Sequence, residues 1–173
     1  LDSERRLLNL RLGDTAPAPT ARFSADPAHT ALTCGGHAYV GAADALQFAT
    51  LADEAGAPLD LRIDCAGHSL HMGDETLILT QYLVHLARTL RRRVQRGQEV
   101  RLRIAGEISG GIYIATAGAA SSVDVAPGGS VRTLPLTSLS SILNRPDAAI
   151  SNAGADFAHY VELGVADTVS ALP

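Results

Sequence analysis

The run Gly106-Glu107-Ile108-Ser109-Gly110-Gly111 is the segment of this chain best suited to chemistry. It falls where the alternating stretch VRLRIAG, over 100–106, gives way to the small-residue stretch GGIYIATAGAA, so the pattern predicts a strand-to-helix junction. Two consecutive glycines there permit tight backbone approach. The first N–H groups of a helix point outward with the positive end of its dipole behind them. Such a corner can hold a developing negative charge, and aimed at an acyl carbonyl it is an oxyanion hole, where one donor is worth about 3–4 kcal/mol of transition-state stabilisation. Glycine pairs at strand ends also serve close helix–strand packing with no chemistry at all. Beside the glycines, Glu107 is a candidate acid or base, or else a helix cap that accepts N–H bonds.

A second constellation is Cys34-Gly-Gly-His37 with Cys65-Ala-Gly-His68, and His71 three residues on. Thiolate and imidazole form a zinc-type ligand set, and neighbouring parallel strands could bring the two pairs together. The simpler reading makes Cys34 and Cys65 small buried residues ending core strands, with the histidines on the loop rim, and no metal or other cofactor is expected. Two cysteines are too few for a disulfide scaffold. All 14 basic residues are Arg, so a mechanism that needs a lysine base or Schiff base must find it on another chain. With a net charge of −4, nucleic acid is not expected as a partner, and Arg91, Arg92, Arg93 and Arg96 read as a solvated helix end. No stretch reaches the roughly 20 apolar residues of a membrane-spanning helix, and LDSERRLLNLRLGD is too charged for a signal-peptide core. A cytoplasmic protein without a membrane partner is the expectation.

The elements that must position these groups are spaced along a chain of 173 residues, a length for one domain. The Pro- and Ala-rich TAPAPTA closes an extended lead-in over 1–21, and the globular domain is expected over 22–173. TALTC (30–34) and LDLRIDC (59–65) read as strands, and residues 43–56 as a helix stopped by Gly56 and Pro58. Leu79, Leu83, Leu86, Leu90 and Val94 recur at helical steps, with Asp74 and Glu75 expected to open that long helix. SVDVAP (122–127) and SVRTLP (130–135) read as strands joined by Gly128-Gly129; residues 136–143 and 155–164 read as helices, and 165–170 as a short strand. Strands separated by helices imply an α/β fold with parallel pairing. Asp64 is expected to bond neighbouring backbone, Tyr82 and Tyr113 to lie in the core, and His85 to serve packing or a subunit contact.

LRIDCAGHS (61–69), the long helix, VRLRIAGEISGGIYIA (100–115) and SVDVAPGGSVRTL (122–134) together resemble the crotonase superfamily, and within it the carboxyltransferase subunits that act on acyl thioesters. The likeness is closest to the γ subunits of biotin-independent malonate decarboxylases, and the ending Leu163-Gly164-Val165-Ala166-Asp167-Thr168-Val169 resembles the segment that closes many members' cores. The resemblance implies a crotonase-like spiral of ββα units with a mostly parallel sheet and outer helices. It implies that two peptide N–H groups polarise a malonyl thioester and hold its enolate while CO₂ leaves. Carried onto this chain, the catalytic group is Gly110, Gly111, Ser109 and Glu107, and the substrate-binding group is Gly106, Gly67, His68 and Gly36. One donor would come from Gly110 or Gly111; the other from Gly35-Gly36, from Gly41-Ala42, or from a partner chain. The implied partners are a related β-type carboxyltransferase subunit and an acyl-carrier protein or acyl-CoA. The same fold clan also holds serine peptidases of the Clp and signal-peptide-peptidase types, in which Ser109 would be the nucleophile. That alternative needs a base, and without lysine only His68, His71 and His159 could supply one. A non-catalytic scaffold subunit, whose glycine turn only packs, is the third reading.

Overall fold

The computed structural model describes residues 1–13, 22–26, 31–35, 38–132, 141, 144, 161 and 164–170. Its strands and helices follow one repeating order. A strand of the main sheet is followed by a short strand and then a helix: β2 (Ala31–Gly35), β3 (Tyr39–Val40) and α2 (Ala42–Glu54) make the first such unit. In the second, β4 (Leu59–Ile63) and β5 (Gly67–His68) precede α3 (Met72–Thr76) and α4 (Leu79–Gln95). The third is β6 (Val100–Ile104), β7 (Glu107–Ser109) and α5 (Gly110–Ala117), and a fourth begins with β8 (Ser122–Val125) and β9 (Ser130–Arg132). Helix α1 (Asp2–Leu12) and strand β1 (Arg22–Asp26) come before the units, and β10 (Thr168–Val169) after them.

The six-stranded sheet runs β1-β2-β4-β6-β8-β10, parallel throughout except for β1, which is antiparallel to β2. Two short parallel pairs, β3 with β5 and β7 with β9, stand at the carboxyl ends of the main strands. The register sets Ile63 beside Ile104 and Ile104 beside Val125, and these side chains with Leu61 and Leu102 form a buried face. Helices α2 and α4 cover that face with Phe48, Leu86 and Leu90. The opposite face carries Thr33, Asp60, Arg62, Arg101, Arg103 and Asp124, with Arg101 paired to Asp60 at 2.6 Å. A parallel sheet is usually covered on both sides; the strict alternation of LDLRI and VRLRI is what leaves one face polar.

Three expectations are corrected. Residues 2–12, expected as part of an extended lead-in, are helical and pack on α2 and α4 through the buried Leu8; the TAPAPTA stretch lies outside the described residues. The long helix does not begin at Asp74 and Glu75: these stand in α3, and Ile78 in the left-handed region (φ 60°) separates it from α4. Asp74 serves another helix instead, its Oδ1 accepting the Ala42 N–H at 2.8 Å, where a carboxylate complements the α2 dipole. The arginine run is not wholly a solvated end. Arg93 is buried and donates to the Ala52 and Ala55 carbonyls, each at 2.9 Å, and to Gly56, so it closes the C-terminus of α2. The expected helices over 136–143 and 155–164 lie largely outside the described residues.

Candidate active site

The site is a corner where β7 turns into α5. Ser109 ends β7 in an extended conformation, and Gly110, at φ 62°, makes the turn that opens α5. A side chain at that φ is strained, which is why glycine stands there. The turn delivers the Gly111 N–H to the imidazole of His68, which accepts it through Nδ1 at 3.1 Å. The Ser109 hydroxyl donates to the Ala66 carbonyl, and Ser109 is fully buried. The corner is thus tied twice to the segment 66–68, which the Cys65 N–H in turn fastens to the Glu107 carbonyl at 2.8 Å.

The floor of the corner comes from the strand ends. Asp64, just beyond β4, accepts the Glu107 N–H at 3.3 Å, as expected of a residue that bonds neighbouring backbone. Gly106 follows β6 and lies against the Asp64 carboxylate. The Glu107 side chain turns toward Arg132, with Oε1 3.6 Å from Nε and both side chains 17% exposed. Gly67 precedes His68 on β5, while Gly36 lies outside the described residues.

A pocket of about 330 Å³ opens beside the corner, lined by His68, Gly111, Leu79, Leu83, Val84 and Ile114 among others. Its walls are mostly apolar, and Glu75 is the carboxylate at its edge. Of its apolar lining residues, Val84 and Ile114 are exposed. The structure therefore brings together His68, Ser109, Gly110 and Gly111 and sets them beside an apolar pocket, while Glu107 faces an arginine.

The second donor is a different matter. Of the pairs suggested by sequence, Gly41-Ala42 has both amides committed to carboxylates: Gly41 N–H to Asp44 Oδ2 at 2.9 Å and Ala42 N–H to Asp74. Neither can serve an oxyanion without displacing an anion already bound.

Cys34 and Cys65 are both buried, and the bond to Cys34 together with burial pushes the Cys65 pKa well up, away from a metal-ligating thiolate. Among the described residues no group of three or more His, Cys, Asp and Glu side chains could hold a metal ion, and His37 lies outside them. His85 is buried with Nδ1 3.1 Å from Glu4 Oε2, Tyr82 is buried, and Tyr113 donates to the Val165 carbonyl at 2.6 Å. The His68 contact to Gly111 was not legible in sequence: a histidine one residue past a Cys-Ala-Gly turn carries no signal for an amide 43 residues away.

No protein-family model matches the chain, and no curated protein matches it by sequence. Solved structures do, and they share its crotonase-like fold. The chain is similar to a subunit of a Pseudomonas malonate decarboxylase hetero-tetramer in complex with coenzyme A, with a TM-score of 0.65 and 18% identity over 95% of this chain and 77% of that one. It is similar also to transcarboxylase 12S with hydrolysed methylmalonyl-coenzyme A (TM-score 0.65, 13% identity, 81% of this chain, 29% of that one). An enoyl-CoA hydratase/isomerase from Marinobacter aquaeolei matches at a TM-score of 0.55 and 12% identity, over 88% of this chain and 71% of that one. Among the described residues no helix is long and apolar enough to cross a membrane.

Proposed function

We propose that this chain is a carboxyltransferase-like subunit of the γ type found in malonate decarboxylases, and that it stabilises a thioester enolate with the Gly111 N–H. The observation that carries this reading is that the Gly110 turn presents that amide at the wall of an apolar pocket, where its acceptor is a side chain rather than neighbouring main chain. A malonyl thioester, carried on an acyl-carrier protein or CoA, would set its carbonyl oxygen on the amide. The bond to the terminal carboxylate breaks, CO₂ leaves, and the electron pair moves onto the carbonyl oxygen as an enolate. A proton then returns to carbon and gives the acetyl thioester. A main-chain dipole held in place by the fold stabilises the charge as it develops, and does so most strongly where water is excluded.

The second donor is expected from a related β-type subunit. Two observations favour a partner: the Gly41 and Ala42 amides are committed, and exposed apolar side chains rim the pocket. The Pseudomonas neighbour is itself part of a hetero-tetramer.

Co-purification from the native host, followed by assay with malonyl, methylmalonyl and acetyl thioesters, tests the reading. Product from the malonyl thioester alone is the expected result. Gly110→Val in the assembled complex should lower decarboxylation by about 10²-fold or more, the usual effect of a lost oxyanion donor. Unchanged turnover would make the chain a scaffold subunit, and peptide cleavage with serine-reactive labelling at Ser109 would make it a peptidase.

A further inference from the structure

We infer that His68 is a latch: its imidazole occupies the Gly111 amide in the ligand-free chain and hands that amide to the substrate oxygen on binding. This rests on the assignment of Gly111 as the enolate donor. An Nδ1 that accepts an N–H has its lone pair engaged in that bond. The two partners differ in freedom. The amide direction is set by main chain, between the Gly110 turn and the first turn of α5, whereas the imidazole moves about two side-chain torsions on the short strand β5.

Both partners line the same pocket, where the side chains of Leu79, Leu83 and Ile114 carry no acceptor, Glu75 and Thr80 are its other polar lining residues, and His68 is the acceptor the Gly111 amide uses. An N–H facing apolar walls without an acceptor is costly, and the imidazole satisfies it until a ligand arrives. The class of ligand that displaces it follows from the exchange. A neutral acyl oxygen replaces one neutral hydrogen bond by another and gains little. An enolate oxygen makes a charge-assisted bond that the imidazole nitrogen cannot match. The latch thus favours an oxygen that becomes anionic over a ground-state carbonyl, and His68 is a positioning residue rather than a reacting one.

Two variants of the full chain test this. His68→Ala removes the acceptor; His68→Asn keeps one, because Asn Oδ1 sits close to where Nδ1 stood. Amide hydrogen exchange read by NMR should show Gly111 exchanging about tenfold faster in the Ala variant and near the wild-type rate in the Asn variant. In the complex with its partner subunit, the Ala variant should show an about fivefold lower KM for the malonyl thioester, a larger change than any in kcat. Equal Gly111 exchange in all three proteins would overturn the latch, and so would a fall in kcat with KM unchanged, which would place His68 in the chemistry. If the exchange pattern holds but wild-type complex does not decarboxylate malonyl thioester, the His68–Gly111 bond stands while the enzymatic reading, and with it the handover to an enolate, fails.

Discussion

The Asp64 carboxylate fills the space that a side chain on Gly106 would need: a Cβ there would stand 2.1 Å from Asp64 Oδ1 and 2.4 Å from its carboxyl carbon. These residues follow the ends of neighbouring parallel strands, and the carboxylate also takes the Glu107 N–H that starts β7. Gly106→Ala should therefore destabilise the chain by about 1–3 kcal/mol, the usual cost of overpacking. Asp64→Ala should cost about 1 kcal/mol through its lost hydrogen bond. The double variant should be more stable than the sum predicts, because the clash disappears with the carboxylate. Urea unfolding of the four proteins reads the coupling, and strict additivity would show that the two groups do not meet.

Arg93 separates itself from its neighbours by what it touches. Its guanidinium caps three carbonyls at the end of α2, whereas Arg91 is exposed. Burial lowers its pKa and Asp53 opposes that shift, yet an arginine remains charged at any ordinary pH. Arg93→Ala should cost about 3 kcal/mol, since it strands carbonyls that the guanidinium satisfied. Arg93→Lys should recover only part of this because an ammonium cannot span the fork. Arg91→Ala should stay within about 0.5 kcal/mol of wild type. Thermal unfolding of the three variants distinguishes them.

The contrast between these two arginines also marks how far sequence reading reaches. The alternation of Leu59, Leu61 and Ile63 and of Val100, Leu102 and Ile104 is visible as strands because one face of the sheet is left polar, so the period survives. The Gly110-Gly111 corner is legible because strand pattern, glycine pair and helix pattern coincide in one segment. Contacts across the fold are not. Arg93 reaches α2 over a separation of 37 to 41 residues, Asp74 reaches Ala42 over 32, and no local period encodes either. The helix starting at Asp2 is hidden for another reason. Leu8 is its one fully covered side chain, while Leu7 and Leu10 are exposed, so its apolar pattern is weak.

That N-terminal helix is held in part by Glu4, whose carboxylate bonds Arg88 at 2.7 Å and His85 at 3.1 Å. Burial alone would raise its pKa, but the bonds to His85 and Arg88 outweigh burial and leave it below the ordinary value of 4.5. A depressed carboxylate pKa means the contact contributes fully above the unfolded value and is lost as pH falls through the folded one. Docking of α1 should thus weaken between pH 4.5 and the acid range below it. Hydrogen exchange of the amides of residues 5–12 should accelerate there more than that of α4. Glu4→Gln should show faster exchange at neutral pH and lose the acid-dependent step; a step that persists in this variant would assign it to another group.

Ser109 offers the sharpest separation between the two enzymatic readings of the corner. As a nucleophile it would need its hydroxyl proton drawn to a base, yet that proton is directed to the Ala66 carbonyl, which cannot take it up. The nearby imidazole has its Nδ1 lone pair engaged by Gly111, and the chain holds no lysine. The hydroxyl instead fastens β7 to the segment carrying His68, so its role is to keep imidazole and amide in register. Ser109→Ala should cost about 1 kcal/mol of stability through the lost bond. It should leave malonyl-thioester decarboxylation by the assembled complex within about threefold, because no step of enolate formation uses the hydroxyl. For a serine hydrolase the same substitution lowers turnover by orders of magnitude, about 10⁶-fold where a triad serine has been removed. Measuring decarboxylation together with labelling by a fluorophosphonate decides the case: a labelled Ser109 with activity abolished by alanine would transfer the corner to acyl-enzyme chemistry.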